Sequence, residues 1–266
     1  MDRVMMLRLE ARGCEAEVRL NDIPLGRAGA TSGLLYLPVH EYVLAGANSL
    51  SIEVDPPKLD APRRSPTPKI AEGGASVSAR LILPRVGQIG NESQSRSLAE
   101  LDWAVGDGEV FKAPLAISTE VALPIKFPRW RWLDAPEIDN LEALLPTVSS
   151  YVQNLAVDLA KGEVDSFLEG SRLRLEELAL AYQRPVADLK ARLRARLQLL
   201  YATKAMKLLI PGVEDIRLKL CANRRLIECL GPGGEPVLRT APAPDGSRVS
   251  WPIRLAVVNG QCLILR

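Results

Sequence analysis

Apolar residues along this chain change period once. Up to about Leu133 they alternate with polar residues, as in strands that bury one face. From about Ile138 they recur at three- and four-residue spacing, as in helices packed on one side. Two domains are therefore predicted, residues 1–133 and 134–266. In the first, residues 4–9, 16–20 and 34–39 read as strands, and Asn21-Asp22, which precedes Ile23-Pro24-Leu25-Gly26, reads as a turn. Leu50, Ile52 and Val54 share a face, as do Val77, Ala79, Leu81 and Leu83, and residues 98–105, 109–117 and 120–127 supply further strands. The prolines at 56, 57, 62, 66 and 68 forbid a regular ladder over 55–68, and 87–97 is a polar connection. Short strands between turns predict an antiparallel β-sandwich.

In the second half, Ile138, Leu141, Leu145, Val148, Val152, Leu155 and Leu159 form one helical stripe. Asp134 and Asp139 are its candidate N-caps, and Lys161-Gly162 closes it. A second helix is predicted over 163–183, carried by Val164, Phe167, Leu168, Leu175, Leu178 and Tyr182. A third follows Pro185, carried by Val186, Leu189, Leu193, Leu197 and Leu200 and extending toward 208. Strands then return at Ile216, Leu218 and Leu220 and over 226–230, Gly231-Pro232-Gly233-Gly234 turns the chain, and 251–266 reads as a hairpin on Asn259-Gly260. Helices first and an antiparallel sheet afterwards predict an α+β domain with helices on one sheet face.

Two resemblances sharpen this expectation. Val18-Arg19-Leu20-Asn21-Asp22-Ile23-Pro24-Leu25-Gly26, with Leu37-Pro38-Val39 and Leu44-Ala45-Gly46-Ala47-Asn48-Ser49-Leu50, resembles the galactose-binding-like jelly rolls. In that family a strand ends at an Asn-Gly-like turn and a Gly-x-Asn-x-Leu segment opens another. The resemblance implies a jelly-roll sandwich and carries over no ligand residue. Lys161-Gly162-Glu163-Val164-Asp165-Ser166-Phe167-Leu168 and Val258-Asn259-Gly260-Gln261-Cys262-Leu263-Ile264 resemble the helix junction and closing hairpin of the NTF2-like or cystatin-like cone. Three successive helices before any strand depart from the usual NTF2 order.

Composition narrows the function classes. With 266 residues, 47% hydrophobic and 25% charged, both halves can bury a core, which argues against disorder. Lys and Arg number 34 against 32 Asp and Glu, so the net charge of +2 is too small to rest affinity on phosphates, and nucleic acid is not an expected partner. No apolar run reaches the roughly 18–20 residues that span a bilayer, and Met1 leads through Arg3 and Arg8 to Glu10 in an alternating segment, unlike a leader. No membrane partner and a cytoplasmic location are expected. Cys14, Cys221, Cys229 and Cys262 form no CxxC pair, so reduced thiols are expected, with no metal and no cofactor.

Reactive chemistry has few candidates. His40 is the sole imidazole, lies in Val39-His40-Glu41-Tyr42 and is read as a surface or loop residue. Gly231-Pro232-Gly233-Gly234-Glu235-Pro236 lacks the ending of a phosphate loop and precedes a strand, so it reads as a turn. Arg184, Lys190, Arg192, Arg194 and Arg196 are spread around the third helix, with Glu176, Glu177 and Asp188 opposing them; a solvated face explains them, and an acidic partner is the alternative. Trp130-Arg131-Trp132 is the candidate binding motif. Its rings are read first as cement between the domains and second as a hot spot, where Trp and Arg are enriched. The expected function is non-catalytic recognition of another protein, in a bacterial accessory or immunity-type role. The alternatives are carbohydrate binding by the sandwich, and an enzyme with a small-molecule site in the C-terminal cone, which needs a carboxylate of perturbed pKa.

Overall fold

The computed structural model describes residues 4–29, 32–57, 65–84, 95–123 and 127–266. Two compact units emerge, Met1–Arg129 and Trp130–Arg266, so the Trp130 to Leu133 segment falls in the second unit rather than the first. The class is α+β: every strand pairing is antiparallel, and four α-helices occur among the described residues.

The first unit holds β1 (Met6–Arg12), β2 (Ala16–Leu20), β3 (Ile23–Ala28), β4 (Leu34–Pro38), β5 (Gly46–Val54), β6 (Thr67–Ile70), β7 (Ala75–Leu83), β8 (Arg96–Val105), β9 (Val110–Ala113) and β10 (Leu115–Leu123). They make two four-stranded sheets, ordered β4-β1-β7-β8 and β10-β5-β2-β3, and a β6-β9 pair. Alternate positions are buried: Leu7, Leu9 and Ala11 stand opposite Leu81, Ala79 and Val77, and Ala16, Val18 and Leu20 opposite Val54, Ile52 and Leu50. These residues supply the core of the unit. Gly13 joins β1 to β2 at φ +66°, where a Cβ would lie 2.2 Å from the Gly74 carbonyl oxygen, so only glycine fits.

The β2–β3 turn places Asn21 and Asp22 at φ 53° and 60°, the left-handed pair that a two-residue hairpin requires. Asn21 is buried, and its amide nitrogen donates to the Tyr42 carbonyl (2.8 Å) and to Asn48 Oδ1 (2.9 Å), while its Oδ1 accepts from Ser49 N (3.0 Å). Asn48 in turn accepts from Leu44 N (2.7 Å) and donates to the Leu44 and Gly46 carbonyls (2.9 Å each). The two short motifs that carry the family resemblance are thus bonded to each other. Residues 23–26 belong to β3, an edge strand whose register shifts opposite Val18/Arg19, where Pro24 removes no central ladder bond. The strand expected over 109–117 splits at Pro114, after which the chain changes partner from β6 to β5. The expected connections over 55–68 and 87–97 and the strand over 120–127 fall partly outside the described residues; Thr67–Ile70 is a strand.

The second unit runs through a 3₁₀ turn at Arg131–Asp134, then α1 (Leu145–Lys161), α2 (Asp165–Gly170), α3 (Arg172–Tyr182) and α4 (Val186–Ala202), and then β11 (Arg217–Cys221), β12 (Leu226–Leu230), β13 (Leu238–Arg239), β14 (Ser250–Trp251), β15 (Arg254–Val258) and β16 (Gln261–Ile264). The sheet is ordered β11-β12-β15-β16, with β13-β14 as a separate pair. Val148, Val152, Leu155, Ala156 and Leu159 of α1 share a core with Phe167, Leu168, Leu197, Ile227, Leu255 and Ile264. Asp134 and Asp139 are not helix caps: α1 starts at Leu145 with Pro146 in its first turn, and Ile138 N instead donates to the Arg224 carbonyl. The expected helix over 163–183 is two, α2 ending at Gly170 and α3 beginning at Arg172, with Ser171 (φ −86°, ψ 1°) between them. The third expected helix stops at Ala202; Lys204 adopts φ 56°, and Leu208 bridges to Thr240. The closing hairpin turns on Asn259 (φ 50°) and Gly260 (φ 77°).

One buried ion pair fastens α3. Arg266 NH1 donates to Glu177 Oε2 with both side chains almost wholly buried, and Arg131 N donates to Glu177 Oε1 at 2.6 Å. Removing one partner of such a pair leaves an uncompensated buried charge and costs about 3–5 kcal/mol. Glu177→Ala is expected to show that loss in guanidinium unfolding, and Glu177→Leu combined with Arg266→Met should recover part of it. Equal stability of Glu177→Ala and wild type would refute this account.

Candidate functional site

Helices α3 and α4 each turn one face toward β14. On α3, Ser171, Arg174, Leu175 and Leu178 follow i, i+3, i+4, i+7, and on α4, Leu189, Leu193 and Arg196 follow i, i+4, i+7. With Phe167 of α2 and the Ser250-Trp251-Pro252 segment, they enclose a groove of about 310 Å³. Its walls are leucine, phenylalanine and indole carbon. The lining also holds Ser171, Arg174, Arg196, Ser250 and the indole N–H of Trp251. Ser171 is 1% exposed and Trp251 7%, and neither Ser171 Oγ nor Trp251 Nε1 has a hydrogen-bond partner among the described residues. Arg174 donates to the Pro252 carbonyl at 3.2 Å, and Arg196 is exposed. A mostly apolar cleft with a few convergent polar groups is the ordinary form of a ligand site.

A second concavity, of about 460 Å³, lies on the polar face of the first sheet. The ladders set Glu10, Ser78 and Asp102 in one cross-strand row and Arg12, Ser76 and Ala104 in the next. Short side chains at 76, 78 and 104 make the floor, and Trp103 joins the lining.

The residues singled out from the sequence take other roles. Trp130 and Trp132 are fully buried, and the Arg266 guanidinium stands 5.4 Å from the Trp130 ring centre. Arg131 donates to Glu177 through its backbone N–H, to the Leu173 carbonyl (3.2 Å) and to Glu176 (2.7 Å). This motif anchors to α3, and its indoles offer no exposed surface. The segment is a 3₁₀ turn from Arg131 onward. His40 is buried, not a surface or loop residue, and its Nε2 accepts from Met5 N. Glu176 and Glu177 do not oppose the bases of α4: Glu176 pairs with Arg131 and Arg172, Glu177 with Arg266, and Arg194 binds Asp165. Slight burial opposes ionisation of Glu176, yet hydrogen bonds from Arg131 and Arg172 hold its carboxyl below the usual range. Gly231 N donates to the Glu235 carbonyl at 2.7 Å, closing a turn and not a phosphate cradle.

Sequence reasoning found Phe167, Leu175, Leu178, Leu189 and Leu193 as helix stripe residues but missed Ser171, Arg174, Ser250 and Trp251 as members of one site. Ser171 and Arg174 share the i, i+3, i+4 face with Leu175 and Leu178, a signal that was available; β14 lies some seventy residues away, a pairing that no local pattern carries. No protein-family model matches the chain, and no curated protein matches it in sequence.

All four cysteines are free thiols. Burial, reinforced by the Asp55 charge, pushes the Cys14 thiol up to about 11, burial does the same for Cys262, and it raises Cys229 well above the ordinary value. Thiolate is therefore scarce in the folded state. Folded thiols keep protons that unfolded ones release, so the unfolded state binds fewer protons and stability falls as pH rises from about 9 to about 11. Ellman's reagent below pH 9 is expected to react slowly with native protein and to count four thiols after denaturation. Fast native labelling, or fewer than four thiols on unfolding without reductant, would contradict this.

Proposed function

We propose that the protein acts by non-catalytic recognition of another protein, in an accessory or immunity-type role, from a jelly-roll-like β-sandwich followed by an NTF2-like α+β domain. The observation that carries this reading is the end of α4 and the chain after it. Of the seventeen residues of α4 only Leu197 is buried, and Leu199 (63% exposed), Tyr201 (48%) and Ile210 (55%) stand in water together with Leu209 and Val213. Large apolar side chains concentrated in fifteen residues, among the exposed bases Lys204 and Lys207, suit a partner surface that is apolar and acidic. The histidine, the thiols and the buried carboxylates serve structure, which fits binding better than reaction. Capture from the native host, followed by reconstitution with the purified partner, tests this. Leu199→Glu with Ile210→Glu should weaken the reconstituted complex by about tenfold or more while the unfolding midpoint is kept. Unchanged affinity in that variant, or no specific partner, would defeat the proposal.

A second reading, carbohydrate binding by the first unit, is favoured by the concavity on its polar sheet face. Two carboxylates, an arginine and two serines there match sugar hydroxyls, and Ser78 Oγ is buried without a partner among the described residues. Asp102→Ala should abolish retention on an immobilised glycan that holds the wild type. Failure of a broad glycan array to retain the wild type would remove this reading.

A further inference from the structure

We propose that the groove between α3, α4 and β14 is a binding site for a small carboxylate with an apolar body, such as a short-chain alkanoate or an aryl-alkanoate. It shares no residue with the exposed 199–213 segment and stands independently of the partner proposal.

The walls determine the body of the ligand. Leucine side chains from two helices, Phe167 and the Trp251 ring cannot solvate a sugar or a nucleotide, and a polar body placed among them would lose water without compensation. The volume, about 310 Å³, sits at the small end of the roughly 300–1,000 Å³ that ligand pockets span, which suits one ring or one short chain and not a folded segment.

The polar groups determine the head. An indole N–H and a guanidinium only donate, and a serine hydroxyl can donate. Ser171 Oγ and Trp251 Nε1 are buried without partners, a costly state that a ligand acceptor would relieve. Arg174 and Arg196 add positive charge, and Arg196 makes no ion pair or hydrogen bond among the described residues. Among the described residues, no carboxylate, thiol or imidazole lines the groove. An acceptor-only anion satisfies this set, whereas an ammonium would meet donors with donors and a neutral amide would bring N–H donors alongside its one acceptor oxygen. A monovalent carboxylate is preferred to a phosphate because its smaller hydration cost matches a cleft that is mostly apolar.

Calorimetric titration of the full chain with sodium octanoate tests the proposal. Saturable single-site binding is expected, weakened by about tenfold or more in Arg196→Glu, whose side chain is exposed and whose fold is checked by thermal unfolding. Octan-1-ol should bind at least about tenfold more weakly than octanoate, because it lacks the charge. Trp251→Phe keeps an aromatic wall and removes the N–H; it should weaken octanoate severalfold and leave octan-1-ol unchanged. A peptide ending in leucine carboxylate serves as the other source of the same chemistry, and its binding more tightly than octanoate would overturn the small-molecule assignment. So would equal affinity for octanoate and octan-1-ol, insensitivity to Arg196→Glu, or no saturable heat with folded wild type.

Discussion

The carboxylate of Glu177 is the constraint on which the second unit turns. It is buried, and a buried anion is tolerated only where donors meet it. Arg266 and the backbone N–H of Arg131 do so from parts of the chain far apart in sequence, and the Arg266 guanidinium also faces the Trp130 ring. Arg254 N donates to the Arg266 carbonyl at 2.7 Å, so the same residue ties α3 to β15. With α3 held at that point, the positions 171, 174, 175 and 178 line the groove.

The same economy recurs with the other buried carboxylates. Glu17 is matched by Arg19 (2.9 Å) and Arg27 (3.0 Å), and Glu228 by Arg254 (2.9 Å). Arginine suits these positions because its fork presents several donors and stays charged. These carboxylates and the buried imidazole are spent on contacts between strands and helices, and the thiols keep their protons. What faces solvent is different in kind: an arginine-rimmed apolar groove, a polar sheet face and an apolar helix end.

In the first unit the corresponding device is an amide pair. Asn21 and Asn48 bond each other and between them serve Tyr42, Leu44, Gly46 and Ser49, backbone groups that would otherwise lie unpaired around a buried turn. The turn at Asn21-Asp22 and the start of β5 are therefore one structural element, although 27 positions separate the two asparagines.

Periodicity alone was enough to place most strands, the α1 stripe, the helices-then-sheet order and the Asn259-Gly260 hairpin, because each depends on side chains a few residues apart and on the left-handed freedom of Asn and Gly. The same local logic failed where a distant contact decided the outcome. Ile138 forgoes a helix to donate to Arg224, and 109–117 divides at Pro114, where the chain passes from β6 to β5. The Trp130-Arg131-Trp132 motif was visible from composition, but its burial depended on partners at Glu177 and Arg266 that carry no mark in the sequence. The groove shows the boundary most plainly. Its helical faces were written in the spacing of leucines, whereas the arrival of Trp251 opposite Ser171 is a product of tertiary packing, since burial of apolar area is non-directional and only the folded sheet selects which remote side chain completes the wall.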